Sequence, residues 1–317
     1  MLFRSLILDL IKVTEKAAIA SALLKGNGDN KACDKAAVVA MRQAFENVYI
    51  QGKIVIGEGE RDKAPMLFIG EEVGCGDTSS PKIDIAVDPL EGTSLCAYNK
   101  ANSLSVIAAG LHGDLLHAPD IYMEKIAVAP YAKGLIDLDF SVEKNLRIVA
   151  KAKGVSISEL MVVILDRPRH KKLIEEVRQT NARIKLIEDG DVAAAIATCI
   201  PKSGIDVLLG SGGAPEGVLA AAALRCLGGD MQARLIFSCD EEKERSKNMG
   251  ITDVNKKWLL EELVKGDVLF VATGVTDGDF LKGVSFEKNI LKTYSLAMCS
   301  SSKTMRTIKT IHLKNLG

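Results

Sequence analysis

Polar residues interrupt the apolar N-terminal stretch MLFRSLILDLIKVTEKAA at Asp9, Lys12, Glu15 and Lys16. That spacing is helical, and it predicts an amphipathic helix docked on a core rather than a cleaved leader. A polar, glycine-containing segment follows, GNGDNKACD, from Gly26 to Asp34. It predicts a loop, with Asp34 as the N-cap of a second helix over KAAVVAMRQAFENVYI. The period then shortens to two. KIVIGEGE, Lys53 to Glu60, predicts a short strand entering a Gly-Glu turn. Ile83, Ile85 and Val87 alternate with Asp84, Ala86 and Asp88, a strand that breaks at Pro89 and Gly92. SLSVIAAGLHGDLL predicts a hairpin turning at Gly113-Asp114.

From about Asp139 the pattern changes to strands alternating with helices. MVVILDRPRH is an apolar strand ending in basic residues, and KKLIEEVRQTNA an amphipathic helix. RIKLIEDGD is a strand ending in acids, and VAAAIATCI a small-residue helix. IDVLLGSGGAPEG is a strand running into a Gly-rich loop before the helix VLAAAALRCL; DVLFVATGVTDGD is a further strand and turn. The expected fold is α/β, with a partly parallel sheet covered by helices. The change of pattern predicts one unit with two lobes, roughly 1–140 and 141–317.

Composition narrows the class. The 317 residues are 47 % apolar and 26 % charged, enough for a sizeable core. Lys plus Arg and Asp plus Glu are both 41, and aromatics are 4 %, which argues against nucleic-acid binding. Seven scattered cysteines without a CxxC pair suit reduced thiols in a cytoplasmic protein. Zinc has little to draw on, because only four His are present and none has a second ligand at zinc spacing. His112, His117, His170 and His312 read as surface or structural residues. No apolar run reaches membrane-spanning length, so no membrane association is expected.

The chemistry gathers at the strand ends. Those ends carry Glu58 and Glu60 with Asp62 close behind, Asp88 and Glu91, Arg167 and Arg169, Asp189 and Asp191, and Glu216. In open α/β sheets ligands bind beyond the carboxyl ends of strands. Carboxylates brought together repel unless a cation sits among them, and with so few His and paired Cys the fitting cation is hard, Mg²⁺ or Mn²⁺. Two such ions about 4 Å apart can hold a phosphate. The plainer reading of Asp88 and Glu91 is a Pro-Leu-Glu-Gly turn with solvated acids. GSGGAPEGV is neither a P-loop nor a dinucleotide fingerprint; Glu216 there is either a residue favourably placed on a helix dipole or a metal ligand. Arg167 and Arg169, flanking Pro168, suit forked phosphate contacts or simply form a basic loop. Asp189 or Asp191 could cap a helix or hold sugar hydroxyls. Tyr122 and Lys125 in PDIYMEK complete the candidates, and Cys33 and Cys96 lie near them without a reason to act as nucleophiles.

DPLEGTS resembles the Asp-Pro-Ile/Leu-Asp/Glu-Gly-Thr/Ser signature of the lithium-sensitive, metal-dependent phosphatase superfamily. VIGEGERDKAPML, IDIAVDPLEGT, APDIYMEK, DGDVAAAI, GGAPEGV and SKTMRTIKTIH together resemble the class II fructose-1,6-bisphosphatases of the GlpX type, in family order over essentially the whole chain. The resemblance implies a layered α/β/α/β/α sandwich of the sugar phosphatase and inositol monophosphatase type. It implies hydrolysis of the 1-phosphate of fructose 1,6-bisphosphate in gluconeogenesis, by in-line attack of a metal-activated water with two or more Mn²⁺ or Mg²⁺ ions. By position it places metal ligands at Asp34, Glu58, Asp88, Glu91 and Glu216. Substrate contacts fall on Glu91, Gly92, Thr93, Tyr122, Arg167, Arg169, Asp189, Gly190, Asp191 and Gly213. Thr93, with Asp34, would orient the attacking water. A metal-site lobe, a substrate lobe and a homo-oligomer, dimer or tetramer, are also implied.

The segment Ser238 to Gly250 is shorter than its family counterpart, and TSLCAYNKANS lacks the basic residue often found after the family's Thr; neither departure removes a ligand position. Sedoheptulose 1,7-bisphosphate is an alternative substrate. An inositol or sugar monophosphatase is a second alternative, against which the Arg pair argues. A non-catalytic sugar-phosphate sensor is disfavoured by the presence of every expected acid and of Thr93.

Overall fold

The computed structural model describes residues 2–58 and 66–313. Glu60 and Asp62, named above among the strand-end acids, lie outside the described residues. The helices are α1 (Leu2–Ala22), α2 (Asn30–Phe45), α3 (Thr93–Ala97), α4 (Val142–Lys153), α5 (Lys171–Gln179), α6 (Asp191–Cys199), α7 (Ala214–Leu227), α8 (Asp240–Asn248) and α9 (Leu260–Leu263). The strands of the first half are β1 (Gln51–Ile56), β2 (Glu72–Val73), β3 (Lys82–Glu91), β4 (Leu104–Leu111), β5 (Tyr122–Val128), β6 (Met161–Leu165) and β7 (Arg183–Ile187). Those of the second half are β8 (Val207–Gly213), β9 (Asp230–Ile236), β10 (Lys257–Leu259), β11 (Val268–Gly274), β12 (Ser285–Phe286), β13 (Ile290–Cys299) and β14 (Thr304–Leu313). No helix among the described residues is long and apolar enough to cross a membrane.

The chain divides into two compact units, Met1–Leu115 with Gly266–Gly317, and Leu116–Lys265. This differs from a boundary near 140. The change of pattern there marks the start of alternating strands and helices, but β5 already belongs to the second sheet, and the last strands return to the first.

In the first unit the sheet order is β12-β13-β11-β4-β3-β1-β2, with β14 on β13. Among the described strands of this sheet, only the β1–β3 pair is parallel. One face packs on α1 and α2: Leu6, Leu10, Ile11, Ala17, Ala37, Met41 and Phe45 join Ile83, Ile85, Val87, Ile107 and Val271 in one apolar cluster. The amphipathic reading of α1 thus holds, with one exception. Glu15 is buried, and its carboxylate accepts from Thr293 Oγ1 at 2.6 Å. Asp34 is not the N-cap of α2. Asp29 is: its side chain accepts from the Ala32 N–H, so the helix starts earlier in the polar segment. Nor does β4 turn back on itself at Gly113-Asp114. The turn is there, but the antiparallel neighbours of β4 are β3 and the distant β11.

In the second unit the order is β10-β9-β5-β8-β6-β7, with β6, β7 and β8 mutually parallel through β6. Ile126, Val128, Val162, Ile164, Val207 and Leu209 on one face cluster with Leu146 and Val149 of α4 and Ile174 and Val177 of α5. Helices α6 and α7 pack against β5, β8 and β9 from small-residue faces. The layers are therefore helix and sheet in the first unit, and helix, sheet and helix in the second, an α/β sandwich class.

Candidate active site

In the first unit the informative feature is at the end of β3. Asp88 pairs with Val106 and Glu91 with Leu104, so four residues of β3 face three of β4. Side chains alternate along a strand, and acids three apart would normally point to opposite faces. The extra residue, a β-bulge at Pro89 and Leu90, puts Asp88 and Glu91 on one face. Pro89 brings no N–H to the ladder, and the Asp88 carboxylate accepts from the Leu90 N–H at 3.0 Å. Val87 and Leu90, likewise three apart, both enter the α1–α2 core. The strand therefore continues through Pro89 to Glu91 instead of breaking there.

Glu91 is 4 % exposed, and Ser103 Oγ donates to its carbonyl at 3.1 Å. Gly92 follows at φ +73°, a left-handed conformation that turns the chain into α3 and sets Thr93 at its first position. Asp34 sits on α2, half-buried, and burial pushes its carboxyl up. Glu58 follows β1; its N–H donates to the Leu67 carbonyl at 2.8 Å, on the far side of the undescribed stretch. Glu71, paired with Arg42, accepts from the Leu67 N–H and ties that return down.

In the second unit the carboxyl ends of β6, β7 and β8 share one edge, because the three strands are parallel. Antiparallel β5 begins at that edge, pairing Tyr122 with Gly213. Two groups of side chains form there. In the first, the Arg169 guanidinium lies over the Tyr122 ring at 4.5 Å and is hydrogen-bonded to Ser211. Arg167 is half-buried two residues before it. In the second, Lys125 Nζ lies 2.6 Å from Asp191 Oδ2 and 3.2 Å from the Gly213 carbonyl, with both side chains almost fully buried. Asp191 opens α6 behind Gly190 at φ +84°, and Asp189 Oδ1 accepts from the Gly190 N–H at 3.0 Å.

Glu216 lies in the first turn of α7, and its Oε2 is enclosed without a hydrogen-bond partner among the described residues. Burial, then the neighbouring Asp191, pushes its carboxyl up, and Lys125 opposes this. The glycines of GSGG are needed for close approach: a Cβ at Gly212 would lie 2.2 Å from Asp191 Oδ2, and one at Gly213 1.8 Å from Glu216 Oε2.

Lys125, a candidate in the chain pattern but without a partner there, and Ser211, which that pattern did not single out, both join the site. A lysine inside the apolar run YMEKIAV was the available signal for the first: burying its charge requires a partner, which is Asp191. Lys125→Met leaves the Asp191 charge uncompensated and is expected to cost about 3–5 kcal/mol in urea unfolding. The double change with Asp191→Asn recovers most of that. A neutral single variant would refute a paired, buried Lys125.

In each unit taken by itself the candidate ligands suit a hard cation: all are carboxylates, Asp88 and Glu91 share a face in the first, and in the second Glu216 has an enclosed oxygen with no hydrogen-bond partner among the described residues. Among the described residues, no three His, Cys, Asp or Glu gather around one point at ligating distance.

The chain matches the family model described as "Bacterial fructose-1,6-bisphosphatase, glpX-encoded" over residues 4–312. It is 47 % identical to a protein of Synechococcus sp. (strain JA-3-3Ab) named D-fructose 1,6-bisphosphatase class 2/sedoheptulose 1,7-bisphosphatase, over 97 % of this chain and 95 % of that one. A protein of the same name from Prochlorococcus marinus (strain MIT 9313) is 48 % identical over 98 % and 97 %. One from Gloeobacter violaceus is 45 % identical over 98 % and 96 %.

Proposed function

The chain belongs to the family of bacterial, glpX-encoded fructose-1,6-bisphosphatases, and from that premise we propose that it hydrolyses the 1-phosphate of fructose 1,6-bisphosphate, giving fructose 6-phosphate and phosphate. The family is metal-dependent. The observation that carries the reading is the bulge that turns Asp88 and Glu91 to one face directly before Thr93.

In this reading Asp34, Glu58, Asp88, Glu91 and Glu216 hold two or more Mn²⁺ or Mg²⁺ ions. Such ions neutralise phosphate charge and lower the pKa of water. The protein's own groups do the rest. Glu91, Gly92 and Thr93 contact the 1-phosphate, and the Thr93 hydroxyl, with Asp34, orients the water that attacks phosphorus in line. Arg167 and Arg169 bind the 6-phosphate with forked hydrogen bonds, and Tyr122 backs the guanidinium. Asp189, Gly190, Asp191 and Gly213 hold the sugar hydroxyls. No covalent phosphoenzyme is needed. The enzyme works in the cytoplasm as a homo-oligomer, dimer or tetramer.

The test is phosphate release from fructose 1,6-bisphosphate with Mn²⁺ or Mg²⁺, and again with EDTA. Release that needs metal and leaves fructose 6-phosphate intact is expected. A folded protein inactive with both ions would overturn the reading. The relatives' printed names join a second activity to the first, so sedoheptulose 1,7-bisphosphate is the second substrate to compare. Like the first, it offers the Arg pair a distal phosphate.

A further inference from the structure

His170 closes the 3₁₀ turn Pro168–His170 and is 4 % exposed. Its Nδ1 lies 2.7 Å from the Leu165 carbonyl oxygen, which can only accept, so Nδ1 carries the ring proton. Nε2 is then an acceptor, and the Ser211 backbone N–H donates to it at 2.8 Å. Burial and the charges of Arg169 and Arg167 hold the imidazole below its ordinary pKa, against the Leu165 bond and Asp191. The neutral ring that the two bonds require is thus the form present at neutral pH.

Ser211 is the residue that holds Arg169. Arg169 Nε donates to Ser211 Oγ at 3.1 Å, and Nη2 donates to the Ser211 carbonyl at 2.8 Å. Ser211 Oγ also lies 3.0 Å from His170 Nε2. The chain passes the ring at contact distance: Gly210 has φ +132°, and a Cβ there would meet Nε2 at 3.0 Å. A run of contacts therefore connects the Leu165 carbonyl at the end of β6 through the imidazole to Ser211 on β8, and from Ser211 back to the guanidinium. Two of the five guanidinium N–H groups and one face of its plane are committed to Ser211 and Tyr122.

We propose that His170 is a positioning residue for Arg169: it fixes Ser211, and Ser211 holds the guanidinium over Tyr122 in the orientation that receives the distal phosphate. This rests on the reading of Arg169 as the anchor of that phosphate. A fork held in place before substrate arrives loses less freedom on binding, so the effect belongs to bisphosphate recognition rather than to cleavage. A ring that only glued β6 to β8 would, when lost, weaken turnover of every substrate alike.

The experiment compares steady-state kinetics on fructose 1,6-bisphosphate and on fructose 1-phosphate, which lacks the distal phosphate. His170→Leu is expected to raise KM for the bisphosphate about tenfold more than KM for fructose 1-phosphate, with a much smaller change in kcat. His170→Gln, whose Oε1 can accept from the Ser211 N–H, recovers a substantial part of that difference. In an Arg169→Ala background His170→Leu adds less than about twofold. Should His170→Leu not fold, Ser211→Ala removes one Arg169 bond and reproduces the same split between substrates at smaller size. Equal losses on both substrates, or an undiminished effect of His170→Leu in the Arg169→Ala background, overturn the proposal. If Arg169→Ala raises KM for the bisphosphate but His170→Leu does not, His170 alone loses its role. If Arg169→Ala leaves that KM unchanged, the anchor reading falls and this proposal with it.

Discussion

Thr93→Ala is expected to lower kcat on fructose 1,6-bisphosphate about 10²–10³-fold while leaving metal affinity within about twofold. The hydroxyl is held by its backbone. Gly92 in the left-handed region sets the first turn of α3, and the Glu91 carbonyl is fixed by Ser103. Alanine takes the same helical position without strain, so the variant removes one oxygen and moves no carboxylate. Steady-state kinetics and a calorimetric Mn²⁺ titration on the same preparation separate the two quantities. A parallel loss of both would make Thr93 part of the metal-holding group instead. Thr93→Ser, which keeps the hydroxyl, retains most of the activity.

Gly213→Ala separates site from fold in a different way. The backbone there has φ −60° and ψ 143°, which any residue adopts, so no backbone strain arises. The obstacle is the Glu216 carboxylate, with Oε2 1.8 Å and Cδ 2.7 Å from the added carbon. The end of a flexible side chain can move at small cost to stability, but then Glu216 no longer points where it did. Mn²⁺ affinity is expected to fall about 10–100-fold, with the urea midpoint shifted by no more than about 1 kcal/mol equivalent. The Mn²⁺ dependence of phosphate release measures the first effect. An unchanged Mn²⁺ midpoint in a folded variant would remove Glu216 from the ligand set.

The local elements were legible because their periods are strong. Helix α1, strand β3, and strands β6, β7 and β8 with helices α5 and α6 between them stand close to where the alternation of apolar and polar residues puts them. What periodicity could not supply was pairing over distance. SLSVIAAGLHGDLL has a turn at the expected place, yet the strand that completes β4 is β11, far along the chain. For the same reason the return of the last strands to the first sheet was invisible, and with it the unit boundaries. Asp34 stands just before the apolar run and so reads as the cap, but Asp29, three residues before Ala32 in the same polar segment, makes it. Glu15 fits a polar helical face in sequence, and its burial is explained by distant partners, Thr293 Oγ1 donating to it and His312 Nε2 at 3.9 Å.

At the candidate site the residue types were legible and their orientation was not. Asp88 and Glu91 stood out as acids, but a regular strand would have sent them to opposite faces, and only the bulge reconciles the spacing with a shared one. His170 reads as an ordinary structural histidine because the groups that fix its tautomer, the Leu165 carbonyl and the Ser211 N–H, are backbone groups that carry no side-chain signature.

The return of the C-terminal strands also sets an order of events during synthesis. Leu116–Lys265 is one uninterrupted stretch and has its full complement of strands as soon as it leaves the ribosome. The first sheet does not: β4 emerges early, with an edge that β11 alone fills, and β13 and β14 follow later still. At roughly 5–20 residues per second that edge waits several seconds or more for its partner. An open edge is a template for pairing with another chain. The N-terminal half of this protein is therefore the part whose nascent form most needs shielding, and a message truncated before β11 would yield an aggregating fragment rather than a small stable one.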